Sequence, residues 1–224
     1  MQMPSSVSTR LQYQHKSLLD ILDGLSDEQI RKQINPGKWS IFENIVHLQT
    51  YQHTFIGRIR RILEEECPSF APYTAEADPL FHDNCSKSSR EIMQDLLSTR
   101  KELSSGVLSF KESDLEKTAC HSSYGKMNLV QWLNFFLLHE AHHLFTIFKM
   151  GAELKKIALK ELSRVLRSSC KANATVGNWG WFEVSHGSFG LNYDTWTSPV
   201  KCETSICLRS STDWSAAKQS MALR

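Results

Sequence analysis

The sequence predicts an all-α fold, an antiparallel four-helix bundle carrying an irregular C-terminal extension. Three observations carry that expectation. Four stretches up to residue 152 repeat apolar residues three and four apart, capping residues stand ahead of three of them, and no convincing period-two strand lies between them.

Leu11, Leu18, Leu19, Leu22 and Leu25 recur at helical spacings after a Ser-rich start and predict a first helix over residues 6–24. Ser26-Asp27-Glu28 and Pro36-Gly37 punctuate its exit. In Ser40-Ile41-Phe42-Glu43 the serine and glutamate form a capping box, each satisfying a backbone amide that the first turn leaves free. Behind it Ile41, Ile45, Leu48, Gln52, Phe55, Ile59 and Ile62 make the stripe of a second helix reaching Glu66. Pro68, Pro72 and Pro79 predict a loop. Ser88 and Glu91 repeat the capping box, and Ile92, Leu96, Leu103 and Val107 predict a third helix to Ser109. A polar connection through His121 and Gly125 leads to Asn128, the N-cap of a fourth helix expected to stop at Gly151. The bundle is therefore assigned to residues 1–152. Residues 153–224 are read as the irregular or poorly ordered extension, because their later part is rich in Ser, Thr, Gly and Asn without periodicity.

Bulk properties exclude several function classes. With 26 basic against 24 acidic residues the net charge is +2, so no strong field points to nucleic acid or to an acidic membrane. The longest apolar run, 132–138, is broken by Asn134 and is too short to span a bilayer. The first residues lack the apolar segment of a secretory signal, so a cytoplasmic protein is expected. The six cysteines show no paired spacing and are read as free thiols.

The stretch LLHEAHHLF, residues 137–145, concentrates the chemistry. His139 and His143, four apart, share one helical face, and the row Trp132, Phe136, His139, His143, Ile147, Met150 places both among apolar residues. Burying two unpartnered imidazoles costs about 1–3 kcal/mol per unsatisfied group, which a hydrogen-bonded core pair or a divalent ion would each relieve. On the second helix His47 lies at the edge of the apolar arc, where it can line a cleft or simply be hydrated. His15, His53 and His142 read as surface or boundary residues. Glu140 projects about 100° from its neighbouring histidine and is expected either to face solvent or to orient an imidazole N–H, with general-base catalysis as a further candidate role. His121, in the polar connection, is a second candidate for the open side of such a site.

The run Pro36-Gly37-Lys38-Trp39-Ser40-Ile41-Phe42-Glu43-Asn44-Ile45-Val46-His47-Leu48 resembles the G-x-W-S-x-x-E-x-x-x-H-L signature of the DinB/YfiT-like metal-dependent four-helix proteins, and the later H-x-x-x-H of that family is matched by His139 and His143. The resemblance covers about residues 5–152. It implies His47, His139 and His143 as ligands of a divalent metal, zinc or nickel foremost, in a bundle that is usually a homodimer. It further implies a metal-dependent thiol S-transferase, or a related small-molecule hydrolase or isomerase, whose partners are a small-molecule electrophile and a low-molecular-weight thiol. No nucleic-acid role follows from it.

Two other readings compete. A non-catalytic, metal-stabilised stress-response or binding module would show a closed site with a fourth protein ligand and no pocket. An H-E-x-x-H metalloprotease would use His139 and His143 with Glu140 as base and a downstream acid such as Glu161 as the third ligand.

Overall fold

The computed structural model describes residues 2–174, with side chains described through residue 168. The helices are α1 (Ser5–Tyr13), α2 (Ser17–Leu22), α3 (Asp27–Arg31), α4 (Ile41–Glu64), α5 (Pro79–Cys85), α6 (Ser89–Leu108), α7 (Glu112–Leu115) and α8 (Leu129–Ala174). Three short strands, β1 (Ser69–Phe70), β2 (Thr118–His121) and β3 (Gly125–Asn128), complete the framework.

The four-helix bundle is formed by α1–α2, α4, α6 and α8, and its capping residues act as the sequence foretells. The Glu43 amide donates to Ser40 Oγ at 3.1 Å, and the Glu91 amide to Ser88 Oγ at 3.2 Å. At the start of α8 the Gln131 amide donates to Asn128 Oδ1 at 2.9 Å, and the Asn128 amide donates to Gln131 Oε1 at 2.8 Å.

Helix directions follow from two core clusters. Ile41 and Ile45 of α4 pack with Ile92 and Leu96 of α6 and with Ile147 and Leu154 of α8. Phe55 and Ile62 pack with Leu103 and Val107 and with Trp132 and Phe136. Thus α4 and α6 run the same way, and α8 runs against both. The first limb runs with α8, since Arg10 meets Asn134 at 3.3 Å, Gln14 meets the Leu137 carbonyl at 2.8 Å, and Ile21 lies against Gly151. Antiparallel packing therefore holds across α4–α8 and between the first limb and α6. The Pro-rich connection between α4 and α6 returns the chain to its starting end, as a crossover connection must.

Several expectations are corrected. The first helix is not continuous, because a 3-10 turn at Gln14–Lys16 separates α1 from α2. That turn brings Gln14 to α8 and buries His15 rather than leaving it at the surface or boundary. The segment read as all loop contains β1 and α5. β1 pairs in parallel with β2, and β2 forms an antiparallel hairpin with β3 in which His121 opposes Gly125 at φ +73°. The strands are too short for alternation to betray them. β1 and β2 also bring Cys67 and Cys120 within 3.6 Å, and Cys67, Cys85 and Cys120 are free, as expected.

The fourth helix does not stop at Gly151 but continues to Ala174. An added Cβ at Gly151 would come within 3.5 Å of Leu25 Cδ1 and 3.6 Å of the Ile21 carbonyl, so this glycine serves a close approach to the first limb rather than a helix end. The residues after it, Ala152-Glu153-Leu154-Lys155-Lys156, are strong helix formers. Residues 175–224 of the expected extension lie outside the described residues. No described helix is long and apolar enough to cross a membrane.

Candidate metal centre

Two helices build the cluster. The capping box at Ser40 sets the start of α4 and so the height of His47, while the box at Asn128 sets α8 and so the height of His139 and His143, one turn apart on one face. The Nε2 atoms of His47 and His139 face each other at 3.0 Å. One candidate ligand atom from each of the three histidines lies within 4.8 Å of the others, and no other His, Cys, Asp or Glu among the described residues joins the group.

Asn44, one turn before His47, fixes the third ring. Its amide nitrogen donates to the Ser40 carbonyl at 2.8 Å, which turns its oxygen to His143 Nδ1 at 2.9 Å. His143 Nδ1 therefore carries the proton and Nε2 keeps its lone pair. Trp39 adds an aromatic wall, its ring 5.0 Å from that of His47 and stacked at 6.2 Å on that of His143. Tyr51 lies 4.5 Å from the His139 ring and Tyr73 5.6 Å from the His47 ring.

Burial, followed by the neighbouring imidazoles, lowers His47, His139 and His143 each from 6.5 to about 3, so all three rings are neutral near pH 7. A single proton between His47 and His139 would satisfy those two nitrogens and leave His143 Nε2 with no protein donor. A divalent ion accepts all three lone pairs at once, so this donor set fits a borderline metal such as zinc or nickel.

The shift has a sign that can be measured. Between the unfolded value of 6.5 and the folded value of about 3, the unfolded chain binds protons that the folded chain does not. Stability of the chelator-treated protein is thus full above pH 6.5 and falls as pH drops toward 3, by up to about 1.4 kcal/mol per pH unit for each histidine. Urea unfolding at about pH 7.5 and about pH 5.5 checks this. His15 adds to the same trend, since burial, then Arg100 and Lys16, lowers it to about 4.

Glu140 is not the exposed or ring-orienting carboxylate expected. It is 2% exposed and forms a bidentate ion pair with Arg100, with Gln14 Nε2 donating to the same carboxylate at 2.8 Å. Arg100 is also bonded to Gln52 Oε1 at 2.6 Å. His142 is exposed and His53 pairs with Asp95 at the surface, as anticipated. Glu161 is exposed on α8 beside Arg164, about 27 Å along the helix from His143 at 1.5 Å per residue, and cannot be a third ligand. With Glu140 sequestered as well, the protease reading loses both its base and its acid ligand.

His121 sits on β2 and lines, with Tyr51, Arg58, Tyr73, Tyr124 and His139, a cleft of about 160 Å³. A larger cleft of about 580 Å³ reaches Trp39 and Asn44 on the His143 side. Sequence reading missed Asn44 and Tyr51, although each lies one turn from His47 and so on its face. Tyr73, in the proline-rich connection, carries no such signal.

The profile of the DinB superfamily matches residues 10–147, more than half of the chain. The chain belongs to the DinB superfamily. YuaE of Bacillus subtilis (strain 168), an uncharacterized protein, is 27% identical over 153 residues, which is 60% of this chain and 91% of YuaE. Among solved structures, YfiT from Bacillus subtilis superposes with a TM-score of 0.59 over 67% of this chain and 86% of its own, at 17% identity. YfiT is described as a probable metal-dependent hydrolase with an unusual four-helix bundle topology, and at this identity the likeness concerns the fold. The matched span contains every histidine of the cluster and ends before the DinB-superfamily helix α8 does.

Asn44 yields a direct test of the site. Asn44→Ala removes the ring-orienting oxygen but no ligand, and is expected to weaken zinc binding by about 10–100-fold. Competition with a chromogenic chelator reads that change, and unaltered affinity would show that the bond to His143 does not matter for the site.

Proposed function

We propose that His47, His139 and His143 hold one divalent ion, zinc or nickel, and that the protein is a metal-dependent enzyme joining a low-molecular-weight thiol to a small electrophile. The observation that carries this is the set of three neutral imidazoles with no fourth side-chain ligand among the described residues, beside clefts that admit a small molecule. Three protein ligands and an open position mark catalytic rather than structural sites. An ion bound there supplies a lowered pKa to a bound thiol or water and polarises an electrophile's oxygen. The chain's own part is to hold the rings: Asn44 orients His143, Trp39 and Tyr51 cover the cluster, and β2–β3 walls one cleft. Hydrolysis is the second reading, favoured by the description of YfiT.

The test is elemental analysis followed by assays on zinc- and nickel-loaded protein. Loss of thiol on mixing with 1-chloro-2,4-dinitrobenzene, abolished by chelation, supports transfer. Chelator-sensitive ester cleavage without a thiol supports hydrolysis, and a metal-loaded protein inert in both would sink the enzymatic reading in favour of a metal-stabilised module. The same proposal includes a homodimer, supported by Leu138, Phe145 and Phe148 exposed along the outer side of α8. Sedimentation of a Phe145→Glu, Phe148→Glu protein as the same species as its parent would argue against that face.

A further inference from the structure

Arg58 lies on α4 on the same side as His47 and Tyr51, and it is 8% exposed. One terminal nitrogen donates to the Ala71 carbonyl at 2.8 Å, and the other is 3.5 Å from the Tyr51 hydroxyl. Its guanidinium lies 5.4 to 5.9 Å from the rings of Phe70, Tyr51 and Trp132. Among the described ion pairs none involves Arg58, whereas the other deeply buried arginine, Arg100, is neutralised by Glu140. The nearby Asp78 is committed elsewhere, accepting from the Tyr73 hydroxyl at 2.9 Å and capping α5 through the Leu80 amide at 2.9 Å. A buried cation without a counter-anion is unfavourable, and aromatic faces offset only part of that.

The cleft between Arg58 and His139 holds donors and no acid. His121 Nδ1 accepts from the Ser123 amide at 3.0 Å, which leaves the His121 proton on Nε2. The Tyr51 hydroxyl oxygen faces the Arg58 donor at 3.5 Å, so its own proton points elsewhere, whereas the Tyr73 hydroxyl already donates to Asp78. No carboxylate lines the cleft, whose volume of about 160 Å³ equals that of about five waters at roughly 30 Å³ each.

From this geometry we infer that the cleft is an anion subsite, in which Arg58 pairs with the carboxylate of a small organic acid whose other end reaches His139. The Arg58 fork matches a carboxylate bidentately, and the His121 Nε2 proton and the Tyr51 hydroxyl stand in the same wall. That this acid is the substrate or thiol partner of the three-histidine site rests on the proposed function; the subsite itself rests on Arg58 and its surroundings.

Binding of mercaptoacetate, 2-mercaptoethanol and acetate to the full chain, by calorimetry with and without zinc, tests the inference. Zinc-loaded protein is expected to prefer mercaptoacetate to 2-mercaptoethanol by about tenfold or more, the worth of one charge-assisted pair. Arg58→Met should bring that ratio to about one while zinc content stays unchanged, and Arg58→Lys, which keeps the charge but not the fork, should fall between. Absence of the preference in the parent, or its survival in Arg58→Met, overturns the subsite. If zinc does not bind but acetate binds the parent and not Arg58→Met, the subsite stands and the metal-centred function fails.

Discussion

Glutamine in place of Glu140 is expected to destabilise the fold by about 3–5 kcal/mol, the loss seen when one member of a buried ion pair is removed and the other charge is stranded. Arg100 and Glu140 are each about 2% exposed, and the guanidinium has only Gln52 and the face of Phe136, 4.8 Å away, to fall back on. For a chain of this size the melting temperature should drop by something on the order of 10 °C. Replacing both residues together, Arg100→Met with Glu140→Leu, should recover most of the loss, because an apolar pair of similar volume needs no counter-charge. Urea unfolding of the two singles and the double gives the coupling directly. A Glu140→Gln protein as stable as its parent, but stripped of zinc, would instead return Glu140 to the metal chemistry from which its partners remove it.

The second large effect concerns the cluster itself. Purified chain is expected to take up about one divalent ion, and His47→Ala, His139→Ala and His143→Ala should each weaken uptake by more than the about 10–100-fold that a supporting residue contributes. His142→Ala should leave uptake intact, since that ring is exposed and turned about 100° from its neighbour. Chelator competition on the four variants separates the sets. Equal uptake by His47→Ala and the parent would confine any ion to α8 and remove the bridge between helices.

Much of this was legible because local signals and function share residues. The Ser40 box and the His139–His143 spacing each follow from helix geometry, and together with His47 they describe a site that the fold then closes. What escaped was set by neighbours outside the local window. The row Leu133, Leu137, Glu140, Leu144, Ile147, Gly151, Leu154 is the buried centre of α8, and Glu140 sits in it as Arg100 sits between Leu96 and Leu103 on α6. Each polar residue breaks an apolar row, which is a readable sign, but only the meeting of Arg100 and Glu140 across the bundle core shows that the two breaks cancel. α8 buries both that row and the histidine row because it packs against α4 on one side and the first limb on another. An offset of about 100° from His139 means exposure only on a helix with a single buried face, and α8 has two. Gly151 misled for a related reason, since the requirement it meets lies on Ile21 and Leu25, far away in the chain.

The placement of the cluster across α4 and α8 has a consequence for the order of assembly. His47 and His139 are separated by 92 positions, and the whole of α6 and the strand hairpin lie between them. A nascent α8 can offer only the His139–His143 pair, and the third nitrogen arrives once α4 has docked, so tight capture must follow the long-range contacts that are slowest to form. Uptake of an ion would then report completed folding rather than start it, unlike a zinc finger, whose ligands are gathered by the metal itself. In refolding from urea, added zinc should leave the folding rate nearly unchanged and slow unfolding.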